Sequence, residues 1–430
     1  MQNRKVIIIG AGIGGFVTAL ELRKKYGDAI RIKMYEQRKG IEHIGGALGI
    51  WPNGSKVLLN LPCAKQIEKL DAKHRYEIWG NMKGEVLRVV DRKEFEKMNG
   101  YPSMIICRSE LLKILMETWG EHNIVFNKKV TGLQHHEKKT EIFFEDGSSD
   151  IADLVIDASG IYSKIRQAIF PDCELSYTGY ISLVGIFRTP DTPHKNVIYG
   201  QNQLFLIFPI SGERYMIYAT RRIEQGYLKQ YLQTRDEQIN AFRGTSNEAN
   251  EVLDALQESL NDPELAQHYH CAEVNDMRVM PPSYHHKRVA FVGDAIRAIG
   301  PTLGFNANLT AEDAKVLVDC LYSEDDIDKA LRQYSSYRIN ATKPFITLEE
   351  NRRNFIVYAK PKDYLEFEDK VKNSLPYEFL QPFFAAMRTA SYFQPVSLAA
   401  KIKKVSEICA SGNEAYVNSE PQQDFIMSKL

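Results

Sequence analysis

Lys5-Val-Ile-Ile-Ile-Gly10-Ala-Gly12-Ile-Gly14-Gly15-Phe-Val-Thr-Ala-Leu20 runs from a β-branched strand straight into closely spaced glycines and on into a helix-forming stretch. The glycines serve distinct geometric ends, namely a tight turn, close approach of a pyrophosphate, and packing of the helix on the sheet. The helix start supplies free N–H groups and positive potential for phosphates. A Tyr26–Asp28 turn and a second strand, Ile30–Tyr35, lead to Glu36. A carboxylate there accepts hydrogen bonds from ribose hydroxyls and disfavours a 2′-phosphate. Strand, helix and acid together predict a βαβ dinucleotide site; the motif alone leaves NAD and FAD both open.

Working outward, Arg108–Trp119 carries apolar residues at helical spacing (Leu111, Leu112, Leu115, Met116), and Val125–Val130 reads as a strand. Glu141–Phe144, the Asp146-Gly147 turn and Ala152–Ile156 read as a hairpin or three-strand meander. From about Cys173 to Pro282 the texture becomes long β-type runs, Tyr180–Phe187, Gln203–Ile210 and Arg214–Thr220, which predicts a second, sheet-based unit. Arg288–Val292 returns to a buried parallel-type strand, followed by a helix from about Asn308 to Leu321. The first unit is therefore completed by residues far along the chain. Beyond Ile327 the pattern is mostly helical, cut by Pro361, Pro376, Pro382 and Pro395. The expected architecture is α/β: a three-layer Rossmann-like cofactor domain (1–172 and 283–325), an interleaved β-sheet substrate domain (173–282) and a C-terminal helical region (326–430).

Composition narrows the function. Lys plus Arg equals Asp plus Glu at 55 each, so the electrostatic footprint of a nucleic-acid binder is missing. No apolar run approaches the roughly 20 residues of a membrane span. Six scattered cysteines without CxxC spacing read as reduced thiols of a cytoplasmic protein. No HExxH, Cys/His cluster or Gly-x-Ser-x-Gly elbow occurs. The adjacent pairs His135-His136 and His285-His286 read as solvated loop histidines. Tyr377–Lys404, apolar with a basic end, reads as a helix across the substrate entrance or a dimer contact, with membrane-surface binding as the lesser alternative. A small-molecule partner and a monomer or homodimer are expected.

A second constellation, Gly293-Asp294-Ala295-Ile-Arg297-Ala-Ile-Gly300-Pro301-Thr-Leu-Gly304-Phe-Asn306-Ala307-Asn308, sets a carboxylate at a strand end before a Pro/Gly loop that opens a helix. It suits a polyol hydroxyl on Asp294 and an anion near the helix start. An ordinary strand–loop–helix turn is the alternative.

Together with Gly45-Gly-Ala47-Leu-Gly49-Ile-Trp-Pro52-Asn53, Arg108-Ser-Glu-Leu111, Asp157-Ala-Ser159-Gly160-Ile-Tyr-Ser163-Lys-Ile-Arg166 and Phe208-Pro209, these segments resemble the FAD-dependent monooxygenases of the para-hydroxybenzoate hydroxylase type, the single-component group A flavoproteins. The resemblance runs from about Lys5 to Tyr358. It implies that Gly10, Gly12, Gly14, Gly15 and Glu36 hold the adenosine half of FAD, that Arg108 lies by the pyrophosphate and that Asp294 bonds the ribityl chain. Backbone at Ala47, Ala307 and Asn308 would approach the cofactor, with Pro301 beside the isoalloxazine. The implied cycle is reduction by NADH or NADPH, reaction with O₂ to a flavin C4a-hydroperoxide, and hydroxylation or epoxidation of a small aromatic or polycyclic substrate.

The chain departs from the family pattern at Ser159, at Val184-Gly185 where an Arg-Gly is usual, at Arg297 where a histidine is usual, and at Phe305-Asn306, which are expected to narrow the flavin's approach. Tyr215, as a proton or hydrogen-bond partner, and Arg297, as positive charge in the flavin pocket, are the candidate catalytic residues; a core tyrosine and a surface salt bridge are their plain alternatives. A flavin reductase or halogenase-like enzyme, or a flavin-binding protein with degraded catalysis, stands as the other reading.

Overall fold

The computed structural model describes residues 1, 3–41, 45–244 and 246–373. The stretch Tyr377–Lys404, expected near the substrate entrance, lies outside the described residues.

A six-stranded sheet has the order His285–His286, Val289–Phe291, Leu154–Asp157, Lys5–Ile9, Arg31–Tyr35, Ile124–Val125. Its central pairings are parallel, with Ile9 beside both Asp157 and Tyr35. Val6, Ile7 and Ile8 are fully buried, as a strand covered on both faces requires. The first helix, Ile13–Tyr26, packs against the helix Asn306–Ser323, where Gly14 lies against Thr310 and Val292. The late strand and helix thus join the opening βαβ unit.

A second sheet of seven strands runs His270–Met277, Leu175–Phe187, Arg214–Arg222, Gln203–Ile210, Val197–Gly200, Tyr76–Asn81, Val86–Asp91. Its last two strands come from 76–91, inside the span expected to belong wholly to the cofactor domain. They attach through a parallel pairing of Trp79 with Val197 that no local pattern announces. One face of this sheet packs on the helix Asn247–Ser259 through Leu183, Phe187, Phe205, Ile217, Leu253 and Leu256. The other face looks toward Gly46, Trp51 and Leu303.

Two local expectations differ from the structure. The strand expected over Val125–Val130 is interrupted at Asn127, whose φ of 58° turns the chain; Val130–His135 then enters a separate antiparallel sheet with Thr140–Phe144 and Ser149–Ala152. Ala152–Ile156 divides likewise: after Asp153, Leu154–Asp157 crosses into the parallel sheet.

Of the histidine pairs, His135, His285 and His286 lie on strands rather than in solvated loops, and His136 follows directly on the first of these strands. His135 and His286 have ring centroids 5.2 Å apart, and Phe170 meets His286 edge-on. Burial, with Lys287 and the neighbouring histidines, pushes His135 down to about 4.

Beyond the Asn306–Ser323 helix, one 32-residue helix, Ile327–Tyr358, runs through Pro344, and Pro361–Asn373 follows. Among the described residues no helix is long and apolar enough to cross a membrane.

Candidate cofactor site

The site begins at the strand-to-helix turn. Gly10 sits at φ 99°, and a Cβ there would run into the backbone of Ala158, just past the end of the neighbouring strand. Gly15 closes just as tightly on the carbonyl of Gly10. Gly12 is different: a Cβ would meet nothing within 4 Å. It caps the first helix with no side chain on the helix N–H groups, so this end opens onto free space. Glu36 accepts from Ala11 N (2.9 Å) and Arg38 N (3.0 Å), which fixes the carboxylate over the glycine turn. These residues converge as the sequence motif requires.

On the next strand, Asp157 is fully buried and accepts from Ser159 N (3.0 Å), Ser159 Oγ (2.5 Å) and Ser163 Oγ. Ser159, a departure from the family pattern, therefore serves Asp157 and rigidifies the 157–163 turn. Arg166, 1% exposed, starts from the same turn and donates to Ala295 O (3.3 Å) and, at 3.5 Å, to Asp294 O.

Asp294 stands at the centre. Its Oδ1 is buried and accepts no hydrogen bond from any described residue. Burial raises its pKa, offset by Arg297, Arg108 and Arg166 and reinforced by Asp313. A buried carboxylate oxygen without a donor is expensive, and a ligand hydroxyl would supply one. A ribityl hydroxyl fits that need.

The turn bearing Asp294 is held from behind by Asp313, fully buried on the Asn306–Ser323 helix. Asp313 accepts from Gly293 N (2.9 Å), Arg297 Nη2 (3.3 Å) and Arg338 Nε (2.5 Å). Gly293 at φ 68° lies so close to Thr310 that no side chain fits. Arg297 is 1% exposed and paired with Asp313, so the surface salt bridge considered for it is replaced by a core ion pair. Its charge reaches Asp294 from inside the protein.

Asn308 spends its side chain on backbone, accepting from Trp51 N (2.8 Å) and donating to Gly49 O (2.9 Å) and Gly304 O (2.8 Å). It ties the Ala47–Ile50 strand to the helix start, which leaves only its main chain for a ligand. Trp51 Nε1 adds a bond to Leu303 O (3.2 Å). Arg108 N donates to Gly46 O (3.0 Å), and the Arg108 side chain borders Gly45 at φ 109°. Ala47, Arg108, Asp294, Pro301, Ala307 and Asn308 are thus joined through one continuous set of strand ends and turns.

Two expectations fail on geometry. Tyr215 pairs with Phe187 and Pro209 and stacks on the Phe187 ring (5.7 Å), on the sheet face covered by helices. Its hydroxyl lies 3.4 Å from Thr192 Oγ1 at the surface. Alternation puts Met216 and Tyr218, not Tyr215, on the face that looks toward Gly46. Phe305, expected to narrow the cofactor's approach, is fully buried edge-on against Phe345 (4.6 Å).

Strand-end turns, a glycine-opened helix and an orphaned carboxylate define an FAD-binding oxidoreductase. The family described as FAD binding domain matches residues 3–346, and the chain belongs to that family, whose members of this type are FAD-dependent monooxygenases. The FAD-dependent urate hydroxylase of Klebsiella pneumoniae is 25% identical over 368 residues, covering 84% of this chain and 92% of the relative. The aurachin C monooxygenase/isomerase of Stigmatella aurantiaca is 24% identical, covering 79% and 86%. Among solved structures, Klebsiella pneumoniae HpxO complexed with FAD and uric acid superposes with a TM-score of 0.81 at 22% identity, covering 92% of this chain and 98% of that one. A salicylate hydroxylase substrate complex gives 0.70 at 20% identity, covering 93% and 100%.

Sequence reasoning misses Asp313, Arg166, Arg338, Trp51, Met216 and Tyr218 as site residues. Asp313 carries a usable signal, an acid on the apolar face of a helix that follows a turn already marked by Asp294. Trp51 and Arg166 lie inside motifs quoted for the resemblance but without a role of their own, and Arg338, Met216 and Tyr218 act through tertiary placement alone.

Proposed function

We propose that this flavin monooxygenase uses NADH or NADPH and O₂ to hydroxylate or epoxidise a flat aromatic or heteroaromatic compound. That compound would be held between the sheet face of Val184, Leu206, Phe208, Met216 and Tyr218 and the segment Gly46–Trp51. The observation that carries the cofactor half is the unsatisfied Oδ1 of Asp294 beside a continuous frame of strand-end turns. The substrate half rests on the apolar character of the sheet face at Leu206, Phe208, Met216 and Tyr218, beyond the point where Val184 packs on Gly46. Urate and salicylate, named for two of the similar proteins, put small ring compounds first among candidates.

When bound, FAD supplies the oxygen chemistry. The chain's own groups do the rest. Glu36 receives the adenosine ribose, the open N-terminus at Gly12 faces the pyrophosphate with Arg108 nearby, and Asp294 takes a ribityl hydroxyl. Main chain at Ala47, Ala307 and Asn308 lines the ring's edge beside Pro301, and the apolar face excludes water from the substrate. Arg297 favours the ionised form of Asp294 against the effect of burial. Residues 1–172 with 283–325 serve the cofactor and 173–282, joined by 76–91, serve the substrate; we assign the protein to the cytoplasm as a monomer or homodimer. The test is oxidation of NADH and NADPH by the FAD-loaded protein against a panel of ring compounds. Faster oxidation with an oxygenated product supports the proposal, whereas reduced nicotinamide consumed at one rate with every compound, or not at all, defeats it.

A further inference from the structure

We propose that Glu349 is a positioning residue for the cofactor loop: from the long helix Ile327–Tyr358 its carboxylate grips Thr302 and Leu303, and this grip is tightest when the acid is ionised. The inference rests on the reading that Pro301–Gly304 faces the flavin ring.

Both oxygens of Glu349 are engaged. Oε1 accepts from Thr302 N (3.1 Å) and Thr302 Oγ1 (2.5 Å), and Oε2 accepts from Leu303 N (3.1 Å). An ionised carboxylate is acceptor-only and suits all three donors. A proton on Oε2 sets two donors head to head at Leu303. One on Oε1 turns the Thr302 hydroxyl round and leaves the Thr302 N–H on a weak hydroxyl oxygen. Either way the loop loses part of its hold.

The surroundings make this proton easy to move near neutrality. Glu349 is 2% exposed and forms no ion pair among the described residues. Burial pushes it up to about 7 against the Thr302 and Leu303 bonds and, more weakly, Arg352 on its own helix. Facing it are Tyr180 from the strand Leu175–Phe187 and Tyr218 from Arg214–Arg222, with the Arg353–Asp276 ion pair (2.6 Å) beyond Tyr180. Both tyrosines are held well above their ordinary value by burial and stay neutral throughout. Gly300 completes the contact: a Cβ there would lie 2.6 Å from Glu349 Oε1 and 3.0 Å from Tyr180 Oη. The carboxylate thus abuts the loop at Gly300, Thr302 and Leu303.

If FAD settles on the fully held loop, binding favours the ionised acid and releases a proton. Affinity should then rise with pH, by about tenfold for each unit by which binding lowers the Glu349 pKa. The experiment titrates apo-protein with FAD by calorimetry from about pH 6 to 8, around the ordinary histidine range, in two buffers of different ionisation enthalpy. Wild type should release a proton and bind more tightly as pH rises. Glu349→Gln should hold the weaker, low-pH affinity throughout and release none. Thr302→Val, which keeps the acid but removes one donor, should move the wild-type midpoint upward and serves where the Gln variant does not fold. The same pH slope in wild type and both variants overturns the inference alone, whereas no FAD binding at any pH overturns the cofactor reading and this inference with it.

Discussion

On the parallel sheet the groups proposed to meet the cofactor are turns: Gly10, Gly12 and Gly293, with Glu36 and Asp294 set by main-chain bonds or buried turns. At the seven-stranded side the groups proposed to meet the substrate are side chains from three strands, Val184, Leu206, Phe208, Met216 and Tyr218, placed by register. Backbone devices demand particular residue types at fixed spacing; a sheet face demands only apolar residues on the correct parity. The first side is therefore tightly specified and intolerant, the second adjustable.

The sharpest way to break that contrast is Asp313→Ala. It strands Arg297 in the core and leaves Arg338 only its longer contacts to Glu312 and Leu309 O, and breaking such a buried pair costs about 3–5 kcal/mol; a urea melt that moves by less than a third of this, with flavin retained, would show the turn to be self-supporting. Asp294→Ala comes next. In apo-protein it should be close to neutral, because it removes a carboxylate oxygen buried without a donor together with the attraction of the nearby arginines, but the stabilisation by FAD, about 2.7 kcal/mol at a hundredfold excess over Kd, should vanish. Thermal melts with and without FAD measure both halves. Glu36→Ala should weaken FAD in the same assay, but less.

On the adjustable side, Tyr215→Phe should leave kcat and KM within about twofold, since among the described residues its hydroxyl bonds only to Thr192 at the surface. Met216→Ala should raise KM for bulky ring compounds less than for small ones. Equal effects of both substitutions would mean that the parity assigned to this strand is wrong. On flavin content and turnover the smallest effect is expected from pH at a distance. His135, lowered to about 4, favours the neutral form in the folded state. Its contribution is complete above the ordinary histidine value of about 6.5 and declines as pH falls from there toward the folded value. A His135→Gln variant should flatten the acid limb of a stability profile without altering flavin content.

The opening βαβ unit, the late strand at Val289 and the helix after Asp294 were legible because glycines, a β-branched run and a strand-end acid are local signals. The pocket face was not, because Tyr215 and Met216 differ by one position and a one-residue change in register exchanges the two faces. Asn308 shows a subtler limit: its location was legible, but its side chain turned out to be committed to Gly49, Trp51 and Gly304. Glu349 sits in Glu349-Glu350-Asn351-Arg352-Arg353, which looks like any solvated helix face until the helix is seen to pass behind the loop.

The strands Tyr76–Asn81 and Val86–Asp91 complete a sheet whose other members begin far downstream, at Leu175. Neither half of the polypeptide can therefore finish its structure as the ribosome delivers it. The early hairpin must wait, edge exposed, for Val197–Gly200 to be made, and pairings of such separation are slow to form. Synthesis of the protein should accordingly pass through a window of stickiness that ends only when the middle of the chain emerges.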